Sequence, residues 1–323
     1  MAELIQPLFI LAPPRSFTSV TCAMVGQHPQ MMGLPETNLF ARATYGELGA
    51  LYERRPRLQH GLLRAIAQLG LGAQSEANVD AAQRWLAEQD AVSTGALFAD
   101  LAHWAAPRGC VDKSPIHVYR GANMQRIEAA FADARYLHLT RHPRGTCESI
   151  YALRQDTRHQ MERIKRVASS ERVDTEHVGF IADAELSPDT LWLKPHLEIL
   201  GFLETVSPDR QFWLRGEDLL EDPPRHLRTI CEWLKIDASD EAIEAMRHPE
   251  RSPFACFGPR NARFGNDPSF LETPALREYR PKPVNLTDPL SWDSSLFLSE
   301  EVRAAAHFFG YGDPVTVPVP SGE

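Results

Sequence analysis

The chain has 323 residues, 43% apolar and 24% charged, and its 34 basic and 43 acidic side chains leave a net charge of −9. That balance excludes a disordered or fibrous chain and argues against a nucleic-acid-binding surface, so any anionic ligand falls to a few placed arginines. Cys22, Cys110, Cys147, Cys231 and Cys256 form no CxxC pair, so reduced thiols are expected, with neither a disulfide framework nor a zinc site. Residues 1–12 fit neither a signal peptide nor an anchor, and no run approaches the roughly 18 apolar residues of a membrane span. A cytoplasmic protein with no membrane or nucleic-acid partner is expected.

In chain order, the apolar run 8–12 (LFILA) reads as a strand. The loop Pro13-Pro14-Arg15-Ser16-Phe17-Thr18-Ser19-Val20 follows it and opens into a helical pattern over 18–27. Residues 38–107 are almost wholly helical in pattern, with Leu48, Leu51, Leu62, Ile66, Trp85, Leu97 and Leu101 at helical spacing. They read as a helical insertion covering one side of a site. A short strand candidate at Cys110 and Val111 leads into Asp112-Lys113-Ser114-Pro115. Runs 135–140 (RYLHLT) and 211–214 (QFWL) read as further strands, followed by helices over 143–155 and 223–236, with another helical block at 188–206. Segment 251–292, rich in Pro, Gly, Asn and Arg, reads as an ordered lid loop. Ser299 is expected to cap a closing helix over 299–309, and the last dozen residues read as a frayed tail.

Chemistry concentrates where strands end. The loop after the first strand presents backbone N–H groups, hydroxyls and the Arg15 guanidinium to a phosphate-sized anion. It lacks the glycines and lysine of GxxxxGK[ST], which disfavours an NTPase. After 135–140, Arg141 stands at the strand end and Ser149 two turns along the next helix, both within reach of a second phosphate. Two anion sites at the carboxyl ends of parallel strands suggest a nucleotide with phosphates at both ends of its ribose.

Five segments in order, PPRSFTSV, LPETNLF, DKSP, LTRHPRGTCES and WLRGEDLLEDP, resemble the PAPS-dependent sulfotransferases. The order of motifs is most similar to the tyrosylprotein, polyketide-associated and bacterial small-molecule branch. The resemblance implies an α/β fold with a central parallel sheet of four or five strands flanked by helices. The layout would be P-loop nucleotide-kinase-like, with 1–323 as one domain that includes the helical insertion and the C-terminal lid. In that family the first loop binds the 5′-phosphosulfate of 3′-phosphoadenosine 5′-phosphosulfate (PAPS), which would engage Arg15, Ser16, Phe17, Thr18 and Ser19. An Arg and a Ser eight residues apart bind the 3′-phosphate, and Arg141 and Ser149 have that separation. Phe17 departs from the glycine common at its place, so its ring is expected to point away from the sulfate or to pack on the nucleotide.

The resemblance further implies Glu36 as the base that deprotonates the acceptor, with Arg15 and Lys113 offsetting charge on the transferring group. His117 and His28 stand in reserve, because some relatives use a histidine beside or in place of the carboxylate. Arg260, Asn261 and Lys282 are implied as lid contacts to the nucleotide. The implied reaction moves a sulfuryl group from PAPS to a hydroxyl of a small-molecule or carrier-tethered acceptor of secondary metabolism, leaving PAP, with no metal. The competing readings are a kinase-like phosphotransferase, against which the missing loop lysine counts, and a non-catalytic PAP-binding protein, against which Glu36 and Lys113 count.

Overall fold

The computed structural model describes residues 5–167, 187–280 and 284–312, with 156–167 described as helical backbone. The tail expected beyond residue 312 lies outside them.

Five strands, β1 (Leu8–Leu11), β2 (Met31–Gly33), β3 (Gly109–Asp112), β4 (Arg135–Thr140) and β5 (Gln211–Arg215), form one sheet in the order β2-β3-β1-β4-β5. Every pairing is parallel, as expected from the sequence. β1 is central and buried at every residue, which is why it reads as an unbroken apolar run. Its side chains alternate between two cores. Phe9 and Leu11 join Phe40, Phe98 and Tyr136 on one face, while Leu8 and Ile10 join Met24, Leu137 and Leu139 on the other. The reading from sequence had no strand at 31–33: Met-Met-Gly is too short and too weak in β-propensity to announce the edge strand it forms.

Helix α1 (Thr18–Gly26) follows β1. Between β2 and β3 run α2 (Tyr45–Arg54), α3 (His60–Leu69), α4 (Glu76–Leu86) and α5 (Thr94–Ala105). Helix α6 (Gly121–Ala130) precedes β4, and α7 (Pro143–Val167) and α8 (Lys194–Leu203) separate β4 from β5. After β5 come α9 (Gly216–Glu221), α10 (Pro223–Leu234), α11 (Asp240–Met246), α12 (Pro268–Glu272) and α13 (Glu300–Phe308). Side-chain oxygens of Thr44, Ser75, Ser93, Asp222, Ser239, Asp267 and Ser299 accept from first-turn N–H groups, so sequence-local caps fix most of these starts. Among the described residues no helix is long and apolar enough to cross a membrane, and no group of His, Cys, Asp or Glu could hold a metal ion. Cys22, Cys110, Cys147 and Cys231 are buried free thiols, and Cys256 is exposed.

Three fully buried imidazoles give the fold a pH dependence. His138 and His196 meet ring to ring, Nε2 to Nδ1 at 2.9 Å, and His117 lies between the rings of Phe9 and Phe40. Burial lowers all three pKa values, that of His138 to about 3. An unfolded imidazole titrates near 6.5, so below that pH the unfolded chain takes up protons that the folded chain refuses. Stability is then full above about pH 6.5 and falls with pH by on the order of 1.4 kcal/mol per unit for each such group. Melting curves followed by circular dichroism are expected to show the midpoint dropping between pH 7 and pH 5. A flat midpoint would mean that these rings accept protons in the native state.

Candidate active site

The carboxyl ends of β1, β3 and β4 face a cleft, the usual place for ligands in a parallel α/β sheet. One wall is the loop after β1. Arg15 (φ 66°) and Phe17 (φ 61°) both occupy the left-handed region, which non-glycine residues enter only when their surroundings hold them. Arg141 supplies that restraint. Its Nη1 donates to the Arg15 carbonyl at 2.5 Å, and its guanidinium lies 4.3 Å from the centre of the Phe17 ring. Tyr279 meets the ring edge-on at 6.1 Å, and Gly216 leaves it room, since a Cβ there would fall 2.5 Å from Phe17 Cδ2. Phe17 is absent from the cleft lining and packs under Arg141, so the bulky side chain is accommodated behind the loop.

Opposite this packing, the start of α1 is open. No side chain caps it and its first turn carries no acidic residue, so its N–H groups and positive dipole end are available to an anion. Thr18 and Ser19 line the cleft, and the buried Ser16 hydroxyl has no partner among the described residues. This donor set suits a phosphate or sulfate group. Arg15 Nε donates to Ser149 Oγ at 2.9 Å, which brings Arg15, Arg141 and Ser149 into one cluster. The other arms of Arg15 reach Asp267 and, at 3.4 Å, Ser269 Oγ.

Lys113 links this loop to the loop after β2. It follows β3, is buried, and donates from Nζ to Ser19 Oγ at 2.9 Å and to Glu36 Oε1 at 2.6 Å. One ammonium thus ties the anion loop to the expected base, residues 94 and 77 positions away in the chain. Asp112 fixes both loop starts from below: Oδ2 accepts from Thr37 Oγ1 at 2.5 Å and Oδ1 from the Ser114 N–H at 2.8 Å.

The backbone of Glu36 is wedged between two glycines. Its N–H donates to the Gly265 carbonyl at 2.7 Å, and a Cβ on Gly61 would fall 2.0 Å from the Glu36 carbonyl oxygen. Gly265, at φ 109°, passes so close to Gly61 that a Cβ on it would fall 2.6 Å from the Gly61 Cα. Gly61→Ala is expected to push Glu36 off its position; with Glu36 as the base that the resemblance implies, the transfer rate falls by about 10²-fold, the cost of a roughly 1 Å misplacement. On the same implied reading, PAP affinity should stay within about twofold, since the residues implied to hold the donor lie on other elements. Steady-state rates and a PAP titration on the variant, with its melt as a folding control, check this.

Several expectations from sequence need correction. His117 is buried in the aromatic core with no partner for either ring nitrogen among the described residues; its nearest charged neighbour is Asp112 at 3.7 Å. It does not line the cleft, and its ring packs against Phe9 and Phe40. His28 is a structural residue, with Nε2 2.7 Å from the Asp237 carbonyl and Nδ1 accepting from the Gln30 N–H. Asn261 donates to the Glu76 carbonyl and to Asp80, and the exposed Arg260 faces Glu76, so both are turned onto α4. The part of segment 251–292 that does border the cleft is Phe264, Gly265, Asn266, Asp267 and Pro268. Lys282 lies outside the described residues. Not foreseen were Arg55, Arg57, Leu58, Ile116, Tyr119 and Leu153, which line the cleft together with Pro14, Asn38 and Pro115. The one local hint was the cationic, proline-broken run Arg54-Arg55-Pro56-Arg57 inside an otherwise helical stretch.

A family model described as the sulfotransferase family matches residues 7–240. The chain belongs to the sulfotransferase family. No curated protein matches it. Among solved structures, the sulfotransferase domain from the curacin biosynthetic pathway superposes with a TM-score of 0.68 at 22% identity, covering 97% of this chain and 100% of that one. The sulfotransferase domain from the Synechococcus PCC 7002 olefin synthase gives a TM-score of 0.68 at 24% identity, covering 97% of this chain and 98% of that one. These likenesses concern the fold. The parallel five-stranded sheet flanked by helices is the P-loop-like fold of sulfotransferases.

Proposed function

We propose that this sulfotransferase uses PAPS as donor and moves its sulfuryl group to a hydroxyl of a small-molecule or carrier-tethered acceptor, leaving PAP. The observation that carries the reading is the Glu36–Lys113–Ser19 junction, which joins a candidate base to an anion-binding loop through one buried cation. In this reading Glu36 takes the proton of the acceptor hydroxyl as its oxygen bonds to sulfur and the bond from sulfur to the bridging phosphate oxygen breaks. Two of the three Lys113 N–H donors are engaged by Ser19 and Glu36, leaving the third for charge developing on the transferring group. Arg15 and the start of α1 would hold the 5′ end of the donor, and Arg141 with Ser149 the 3′-phosphate. The segment that carries Asp267 and Ser269 would close over the donor as a lid, and the 38–107 helices would wall the acceptor. The neighbours from a biosynthetic pathway and an olefin synthase support an acceptor made within a biosynthetic sequence.

Calorimetric titration with PAP, against ATP plus Mg²⁺ and 5′-AMP as controls, tests the donor assignment. PAP is expected to bind at least tenfold more tightly than either control. Preference for ATP with Mg²⁺ would return the kinase-like reading.

A further inference from the structure

Of the five segments that carry the family resemblance, WLRGEDLLEDP alone supplies no residue to the transfer scheme above. Its Glu217 lies in the first turn of α9, just past β5. Because β4 and β5 are parallel neighbours, it stands beside the end of β4, where Arg141 leaves the sheet. Three side chains hold the tripeptide Thr140-Arg141-His142 there, each at a different atom. The Trp192 indole N–H donates to the Arg141 carbonyl at 2.8 Å, the His142 N–H donates to Glu217 Oε1 at 2.9 Å, and Tyr311 Oη lies 3.1 Å from Thr140 Oγ1. Tyr311 Oη also donates to Glu217 Oε2 at 2.9 Å. An ionised carboxylate only accepts, so the single phenolic proton belongs to that bond and Thr140 donates to the phenol in turn.

Local sequence places Tyr311. Gly310, at φ 70°, turns the chain after α13, with its N–H on the His307 carbonyl and the Tyr311 N–H on the Ala306 carbonyl, both at 2.9 Å. From β5, Arg215 Nη1 donates to the Gly310 carbonyl at 2.7 Å, and the Arg215 guanidinium lies 5.5 Å from the centre of the Tyr311 ring. Thr140 and Tyr311 are buried and Glu217 is half-buried, so water competes little for these bonds. Burial lowers the Arg141 pKa, and of the surrounding charges Glu217 opposes this most. A carboxylate so near an anion site repels the ligand, a cost that its hold on the backbone of Arg141 offsets.

We propose that Glu217 and Tyr311 are positioning residues for the donor's 3′-phosphate, fixing the backbone on either side of Arg141 so that its guanidinium is aimed before the nucleotide arrives. The proposal rests on the PAPS reading and deepens its 3′-phosphate site. Calorimetry with PAP and with 5′-AMP, which lacks the 3′-phosphate, tests it, with melts as folding controls. Tyr311→Phe and Glu217→Ala are each expected to weaken PAP by about tenfold and to leave 5′-AMP within about twofold. Glu217→Gln is expected to keep PAP within about threefold, since its amide oxygen still accepts from His142 and its amide N–H can donate to Tyr311, whose proton then turns to Thr140. Equal weakening of both nucleotides, unchanged PAP affinity in either of the first two variants, or a loss in Glu217→Gln as large as in Tyr311→Phe overturns the proposal alone. Should Glu217→Ala misfold, Tyr311→Phe, which keeps the ring, carries the test. A wild-type protein that does not prefer PAP to 5′-AMP overturns the donor assignment and this proposal with it.

Discussion

Replacing Lys113 with methionine is expected to lower sulfuryl transfer by about 10²–10³-fold while PAP still binds, the range seen when one preorganised donor is removed from a developing charge. Methionine keeps most of the stem volume, so the buried site is neither emptied nor overfilled. What disappears is the ammonium that donates to Ser19 and Glu36. The base stays held by Gly265 and, through Thr37, by Asp112, and the loop stays held by Arg141, so the loss falls on the rate. Single-turnover rates with labelled PAPS, beside a PAP titration, read the two effects apart. A variant with near-normal turnover would remove Lys113 from the chemistry and leave it a structural cation.

Arg141→Ala is expected to weaken PAP binding by about 10²-fold. One contribution is the proposed charge-assisted contact to the 3′-phosphate, on the order of 1.5–3 kcal/mol. The second is local to this chain: Arg141 holds the Arg15 carbonyl and covers the Phe17 ring, both at left-handed residues. Without it the anion loop loses the contacts that keep it preorganised. Burial already lowers the Arg141 pKa, the signature of a guanidinium desolvated before any ligand arrives. Arg141→Lys, which keeps charge but loses the planar fork and the stacking, should fall between the two. Calorimetry with PAP measures the series. Wild-type affinity in Arg141→Ala would place the 3′-phosphate elsewhere.

The sheet was readable where burial on both faces forces a continuous apolar run, as in β1, and where β-prone Tyr, Leu and Thr gather, as in β4; it was unreadable at β2, where three residues carry too little pattern. Arg15, Ser19 and Arg141 were within reach of sequence reasoning because each stands just after a strand and at or near a helix start, with Ser149 two turns into the helix that follows Arg141. Glu36 and Lys113 rested on family resemblance instead: they are 77 residues apart and no local spacing relates them. Their meeting is a product of topology, since β2 and β3 are parallel neighbours that deliver both loops to the same edge. Arg260 and Asn261 show the opposite failure. A basic, glycine-containing loop reads as a phosphate contact, yet hydrogen bonds to Glu76 and Asp80 turn it outward, and the cleft is bordered by Phe264–Pro268 just beyond. The rest of the cleft lining was not legible because Arg55, Arg57, Ile116 and Tyr119 come from two separated segments that only the fold brings together.

The most direct measurement is a crystal structure of the PAP complex. The 5′-phosphate is expected against the start of α1 and the Arg15–Ser19 loop, the 3′-phosphate against Arg141 and Ser149, with Lys113 Nζ turned to the side where sulfur would sit. Nucleotide bound away from both phosphate sites, or with its 5′ end remote from Lys113 and Glu36, would contradict the account.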